Sequence, residues 1–144
     1  AEGFFKFIFC RNPFARILSE YFYCRSHNGC RFSGNGRDFV QKYPSFREFI
    51  LDSAIDWCPW VPHADSQYSF IKGCEIDFIG KFENLQEDFN AVCDRIGIPP
   101  RALPHKNASK HKHYTEYYDD ETRQIVAEKY AKDIEYFGYE FGEY

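Results

Sequence analysis

Two side chains near the start of the sequence, Arg11 and Ser19, are of types that can bind an anion. An arginine guanidinium forms paired hydrogen bonds with phosphate oxygens, and a serine hydroxyl adds another donor. Arg11 follows an apolar run, and the next residues, Asn12 and Pro13, are the preferred pair for beginning a helix. A strand that ends in a short turn and a capped helix is a common place to bind a phosphate. The alternative is that Arg11 is a solvated strand-end charge and Ser19 an ordinary helix residue.

The spacing of these two residues limits how one anion can contact both. Ser19 lies seven residues beyond Asn12, which is about 10 Å along a helix axis. A phosphate that sits head-on over the first amides of the helix therefore cannot also reach Ser19. If both residues serve one anion, the anion must lie against the flank of the helix, with Arg11 reaching over from the strand.

The elements that must position these residues mix strands and helices. Predicted strands run from Phe4 to Cys10 and from Ile76 to Phe82, and the first is apolar enough to be covered on both faces of a parallel sheet. The predicted helices cover residues 13–24, 45–54, 83–98 and 119–138. The second of these helices begins at Ser45, with Glu48 in position to complete a capping box. This order of elements predicts one α/β domain over residues 1–144.

Composition narrows the class of partner. The chain has 144 residues, of which 44% are hydrophobic and 20% aromatic, so we expect a single core built largely from rings. A net charge of −4 argues against a nucleic-acid binder, which needs a broad basic surface. No apolar run reaches the roughly 18–20 residues of a membrane span, and we expect no export signal. The six cysteines form no CxxC pair, which favours a reduced, cytoplasmic protein.

Three segments resemble sulfotransferases that use 3′-phosphoadenosine-5′-phosphosulfate (PAPS), and in particular the carbohydrate sulfotransferases. The segment "FKFIFCRNPFARILSEY" (residues 5–21) resembles the 3′-phosphate-binding segment of that family, in which Arg, Asn or Asp, Pro and a later Ser follow an apolar strand. Residues 77–89, "DFIGKFENLQEDF", are similar to a second hallmark segment of the carbohydrate sulfotransferases. Residues 117–141 are similar to the C-terminal segment of those proteins. The resemblance implies a partial P-loop-like sulfotransferase fold, with few parallel strands packed by several helices.

The resemblance also implies an activity, which is transfer of a sulfuryl group from PAPS to a carbohydrate hydroxyl without a metal ion. Arg11 and Ser19 would bind the 3′-phosphate and anchor the nucleotide. A basic loop late in the chain would add phosphate contacts through Lys106, Asn107, Ser109 and Lys110. The carbohydrate acceptor would meet His63, Trp57, Trp60 and Glu83. The alternatives remain open: a solvated basic loop, tryptophans that pack beside a loop histidine, and a Glu83 that only stabilises the first turn of a helix.

One part of the family pattern is not found. The 5′-phosphosulfate loop of these enzymes lies upstream of the segment that opens this sequence. Residues 27–39 cannot replace it, because they lack a preceding strand and a following Lys-Ser or Lys-Thr. We therefore expect a 3′-phosphate half-site that needs an N-terminal segment or a second chain, with little turnover alone and no assigned catalytic base. If the chain is part of a longer eukaryotic protein, the resemblance implies the Golgi lumen instead of the cytoplasm.

Two further hypotheses belong to other functional classes. One is a non-catalytic nucleotide- or glycan-binding module that keeps the 3′-phosphate site. The other is a zinc-stabilised interaction domain in which His111 and His113 join His105 or a cysteine, since neutral imidazole is a common zinc ligand.

Overall fold

The computed structural model describes residues 3–26, 40–52, 65–104 and 110–143. Strand β1 (Phe7–Cys10) leads into helix α1 (Pro13–Arg25), and strand β2 (Phe78–Lys81) leads through a 3₁₀ turn (Phe82–Asn84) into helix α3 (Leu85–Ile96). Between these two units lie helix α2 and a second 3₁₀ turn, and the chain continues with a third 3₁₀ turn and helices α4 and α5. Their bounds are Phe46–Leu51 for α2, Gln67–Phe70 for the second turn, Tyr114–Tyr117 for the third, Asp120–Lys129 for α4 and Ala131–Phe137 for α5. The predicted α/β class is confirmed.

β1 and β2 pair in parallel, which confirms the predicted direction of the sheet. Phe7 pairs with Phe78, and Cys10 pairs with Lys81 at the carboxyl end. Both strands are shorter than predicted. Among the described residues both faces of the sheet are also less covered than predicted, because Phe7 remains 45% exposed on one face and Ile79 38% exposed on the other.

Local capping signals in the sequence are realised in the helices. The Asn12 side chain accepts a hydrogen bond from the Phe14 N–H at 3.1 Å, and Pro13 is the first residue of α1. Ser45 and Glu48 form the predicted capping box at the start of α2. Within the described residues, no helix is long and apolar enough to cross a membrane.

The predicted helix over residues 119–138 is wrong in one respect, because it breaks at Tyr130. Tyr130 is 2% exposed, and its backbone (φ −105°, ψ 25°) leaves the helical region between α4 and α5. After the break, α5 carries Asp133 inward, where its carboxylate accepts hydrogen bonds from a separate turn of the chain. These contacts fix the direction of α5 independently of α4.

The main core surrounds α1 and consists largely of rings, as the composition predicts. Tyrosine hydroxyls in it find backbone partners: Tyr118 donates to the Phe14 carbonyl at 2.7 Å, and Tyr21 donates to the Tyr43 carbonyl at 3.0 Å. Each hydroxyl thus satisfies a carbonyl that the surrounding rings shield from water. A smaller cluster lies beside the sheet and includes Cys10.

Candidate functional site

The carboxyl ends of β1 and β2 bring the candidate site together at one edge of the sheet. Arg11 follows β1 directly, and Phe82 and Glu83 follow β2. The Arg11 guanidinium lies over the Phe82 ring, 4.5 Å from its centre. Ligands of parallel sheets bind outside the carboxyl ends of the strands, so this edge is where a ligand of Arg11 is expected.

The Gln67 side chain holds the main chain of Arg11 through two hydrogen bonds. The Arg11 N–H donates to Gln67 Oε1 at 2.9 Å, and Gln67 Nε2 donates to the Arg11 carbonyl at 2.8 Å. Gln67 is 7% exposed, so water competes little for these two bonds. The amide therefore fixes the backbone from which the Arg11 guanidinium extends.

Gln67 is itself held by a buried carboxylate, Asp133, which is 0% exposed. Asp133 accepts hydrogen bonds from Ser66 Oγ at 2.6 Å and from the N–H groups of Gln67 and Tyr68, each at 2.8 Å. It acts as a cap for the 3₁₀ turn Gln67–Phe70, supplied from a distant helix. This connection was missed by the sequence reasoning, although a signal was present: Asp133 lies on the same helical stripe as buried Tyr130 and Phe137.

Asn12 is a second fixed point at the start of α1, and it is also 0% exposed. Its side-chain amide donates to the Tyr114 hydroxyl at 3.3 Å and to the carbonyls of Glu140 at 3.0 Å and Glu143 at 3.2 Å. With its oxygen bonded to the Phe14 N–H, the whole Asn12 side chain is committed to structure. It ties the turn after β1 to the end of the described chain.

Glu83, predicted as an acceptor-binding residue, lies at this edge and already bonds to the protein. One carboxylate oxygen accepts from the Asn12 N–H at 2.7 Å, and the other accepts from the Tyr139 hydroxyl at 2.8 Å. A cavity of about 300 Å³ opens here, lined by Lys81, Glu83, Asn84, Tyr139 and Glu143. Because each carboxylate oxygen can accept a second hydrogen bond, Glu83 remains able to contact a hydroxyl in this cavity.

Two titratable groups beside Glu83 stay protonated near neutral pH. Burial is the main reason that the pKa of Tyr139 is raised, and its hydrogen bonds to Cys10 and Glu83 add to the effect. Burial likewise raises the pKa of the Cys10 thiol. Cys10 is therefore a packed thiol rather than a nucleophile, and Tyr139 is a hydrogen-bond donor to Glu83.

The flank of α1 presents Ser19 together with Arg16. Ser19 is half-buried, and its hydroxyl has no hydrogen-bond partner among the described residues. Arg16 lies three residues earlier on the same helical face. Arg16 is half-buried, and it donates to the Asp65 carbonyl at 2.7 Å. Burial lowers the pKa of its guanidinium, which nevertheless remains a cation.

Seven further residues were predicted for the site, and the structure describes one of them. Lys110 is exposed. The other six lie outside the described residues: His63, Trp57, Trp60, Lys106, Asn107 and Ser109. For the zinc hypothesis, His105 also lies outside them, and His111 stacks on Phe22 with ring centres 5.2 Å apart. The described ranges contain no group of three or more potential metal ligands.

Comparisons with known proteins agree with the segment resemblance. The sequence profile of the sulfotransferase family matches residues 1–140. Carbohydrate sulfotransferase 14 of Danio rerio is 26% identical over 169 residues, covering 94% of this chain and 44% of that protein. Carbohydrate sulfotransferase 11 of Mus musculus is 25% identical over 119 residues, covering 67% of this chain and 34% of that protein. These matches confirm the predicted resemblance to carbohydrate sulfotransferases.

A further relative is nearer in length. An uncharacterized protein of Archaeoglobus fulgidus is 36% identical over 101 residues, which cover 68% of this chain and 72% of that protein. In contrast, the chain spans less than half the length of the carbohydrate sulfotransferases described above. No solved structure matches the chain at a significant level.

Proposed function

Because this chain belongs to the sulfotransferase family, we propose that it binds the 3′-phosphate of PAPS in the transfer of a sulfuryl group to a carbohydrate hydroxyl. One observation carries the proposal: Arg11 leaves the carboxyl end of β1 on a backbone held in both directions by Gln67. Such a fixed backbone lowers the entropic cost of aiming the guanidinium at a phosphate. The carbohydrate acceptor is proposed from the names of the relatives.

The geometry at the start of α1 supports binding along the flank of the helix rather than at its tip. Pro13 has no N–H, and the N–H of Phe14 is taken by the Asn12 side chain. The tip of the helix therefore offers few donors to an anion, whereas the Ser19 hydroxyl on the flank lacks a described partner. In the proposed complex, Arg11 and Ser19 contact the 3′-phosphate from the strand and the helix respectively. Both residues bind the donor and leave the sulfuryl group to other parts of the enzyme.

Titration calorimetry with adenosine 3′,5′-bisphosphate tests the proposal. Charge-assisted hydrogen bonds contribute about 1.5–3 kcal/mol, so Arg11→Ala is expected to weaken binding by roughly 10- to 100-fold. Arg95 offers a matched control, because its guanidinium also lies over a phenylalanine ring, 5.1 Å from the centre of Phe5. Arg95→Ala should leave the affinity unchanged. Equal affinity in the wild type and Arg11→Ala would refute the proposed 3′-phosphate contact.

We also propose that a further polypeptide segment, on the same or a second chain, supplies the 5′-phosphosulfate loop. The proposal follows from the family pattern, since residues 27–39 do not carry the sequence features of that loop. These 144 residues alone should then bind the bisphosphate but transfer little labelled sulfate to a carbohydrate. Efficient transfer without any added segment would contradict this part of the proposal, and absence of bisphosphate binding would contradict the donor site itself.

A further inference from the structure

A second cleft lies beside the 3₁₀ turn Gln67–Phe70, which holds Arg11. It has a volume of about 460 Å³ and is lined by Tyr68, Lys132, Glu135 and Tyr136. The rings of Tyr68 and Tyr136 are 5.0 Å apart between centres and inclined at 56°. Tyr136 is 47% exposed, so much of its ring is available to a ligand. The volume falls within the range of about 300–1,000 Å³ that is usual for small-molecule sites.

The chemistry of these four side chains suits a sugar. A pyranose ring has an apolar C–H face, which can pack on an aromatic ring, and an edge of hydroxyls that donate and accept hydrogen bonds. The tyrosines supply the rings, Glu135 supplies an acceptor and Lys132 supplies a donor. We propose that this cleft binds an uncharged sugar unit of a glycan. The opposite charges of Lys132 and Glu135 favour an uncharged unit over a polyanion.

The position of the cleft relates it to the donor site. Asp133 accepts hydrogen bonds from the N–H groups of both Gln67 and Tyr68. Gln67 then holds the Arg11 backbone, while Tyr68 faces the cleft. The inward side of α5 thus fixes Arg11, and its outward side carries Lys132, Glu135 and Tyr136. Identification of the sugar as part of the acceptor rests on the proposed function, whereas sugar binding itself does not.

Saturation-transfer NMR with the full chain tests the cleft directly. The probes are two unsulfated, neutral tetrasaccharides, cellotetraose and the tetrasaccharide of N-acetylglucosamine, and affinities are read from chemical-shift titrations. Tyr136→Leu keeps an apolar side chain but removes the ring, and it should weaken binding of at least one probe by about tenfold. Tyr23→Leu is the control, because Tyr23 is 41% exposed on α1, away from the residues that line the cleft. It should bind as the wild type does.

Several results would overturn the inference. These are no binding of either neutral probe, equal binding by Tyr136→Leu and the wild type, or binding only of a uronic-acid tetrasaccharide. If Tyr136→Leu fails to fold, Lys132→Met replaces it, since Lys132 is exposed, and it should also weaken binding. Adenosine 3′,5′-bisphosphate affinity is measured on the same samples. If the wild-type chain binds the bisphosphate but neither neutral probe, the sugar cleft is rejected. If it binds a neutral probe but not the bisphosphate, the proposed donor site is rejected.

Discussion

Replacing Gln67 with methionine is expected to destabilise the protein by about 2–4 kcal/mol. The substitution keeps the length of the side chain but removes both hydrogen bonds to Arg11, at 2.9 and 2.8 Å. An orphaned buried group costs about 1–3 kcal/mol. The two orphaned groups, the N–H and the carbonyl of Arg11, would together cost about 2–6 kcal/mol. Because Arg11 is only half-buried, both groups regain some bonding to water, so the expected loss lies in the lower part of that range.

Urea unfolding of Gln67→Met and wild type measures this difference, provided the m-value stays constant. Gln124→Met is the matched control, because Gln124 is exposed and its amide bonds to Glu128, at 3.0 Å, on the helix surface. The control should change the free energy of unfolding by less than about 0.5 kcal/mol. If Gln67→Met changes it no more than the control does, the holding of Arg11 by Gln67 contributes nothing measurable and the reasoning fails.

A double-mutant cycle then tests whether Asp133 acts through Gln67. Asp133→Asn removes the carboxylate that accepts hydrogen bonds from the Gln67 and Tyr68 N–H groups. The 3₁₀ turn Gln67–Phe70 should already be loosened in this variant. Gln67→Met should therefore cost less in that background than in the wild type, with a coupling of at least about 0.5 kcal/mol. Strict additivity of the two substitutions would show that they act independently.

Three further predictions concern local chemistry. Gly80→Ala should lower the free energy of unfolding by about 1–3 kcal/mol, because its new Cβ would lie 2.5 Å from Phe9 Cε1; an unchanged urea midpoint would contradict this. The hydrogen bond from the Thr122 backbone N–H is the main cause that lowers the pKa of Asp119 to about 2. The Asp119 carboxylate therefore stabilises the folded state above the unfolded-state pKa of about 4, and this stabilisation is lost as the pH falls towards 2. The Tm advantage of wild type over Asp119→Asn should shrink across that window, and a constant difference would refute the assignment. Among the described cysteines, exposed Cys74 should react first with a thiol reagent, as followed by peptide mapping, whereas prior labelling of a buried cysteine would indicate local opening.

Features that depend on neighbours in sequence were predictable. The start of α1 depends on the Asn12 side chain, which caps its own helix, and on Pro13 as the first helical residue. The start of α2 likewise depends on a local capping box between Ser45 and Glu48. The apolar first strand also predicted that the sheet is parallel. It did not predict where the strands begin and end. Capping interactions join residues only two or three positions apart, so the sequence displays them directly.

Features that depend on distant residues were not predictable in the same way. Gln67 is 56 residues from Arg11, and Asp133 is 66 residues from Gln67. A single sequence contains no rule that selects those partners among many polar side chains. The break at Tyr130 has the same origin, because helical periodicity continues through it and only the inward turn of Asp133 requires a new helix direction.

For the candidate site, the sequence predicted the positions of three proposed ligand-binding residues but not the residues that support them. Arg11 and Glu83 lie at the predicted strand ends, and Ser19 lies on the predicted helix. The supports, Gln67 and Asp133, were not identified because their residue types are common on surfaces. Burial distinguishes them, and burial follows from the fold rather than from composition.

The bonds of Asn12 determine when the turn after β1 can become native. Its side chain binds carbonyls 128 and 131 positions later. During synthesis on the ribosome, which proceeds at about 5–20 residues per second, Asn12 therefore waits several seconds until these partners are translated. The apolar strand before Asn12 lacks these contacts for that interval, which leaves the nascent segment open to aggregation until Glu140 and Glu143 are translated.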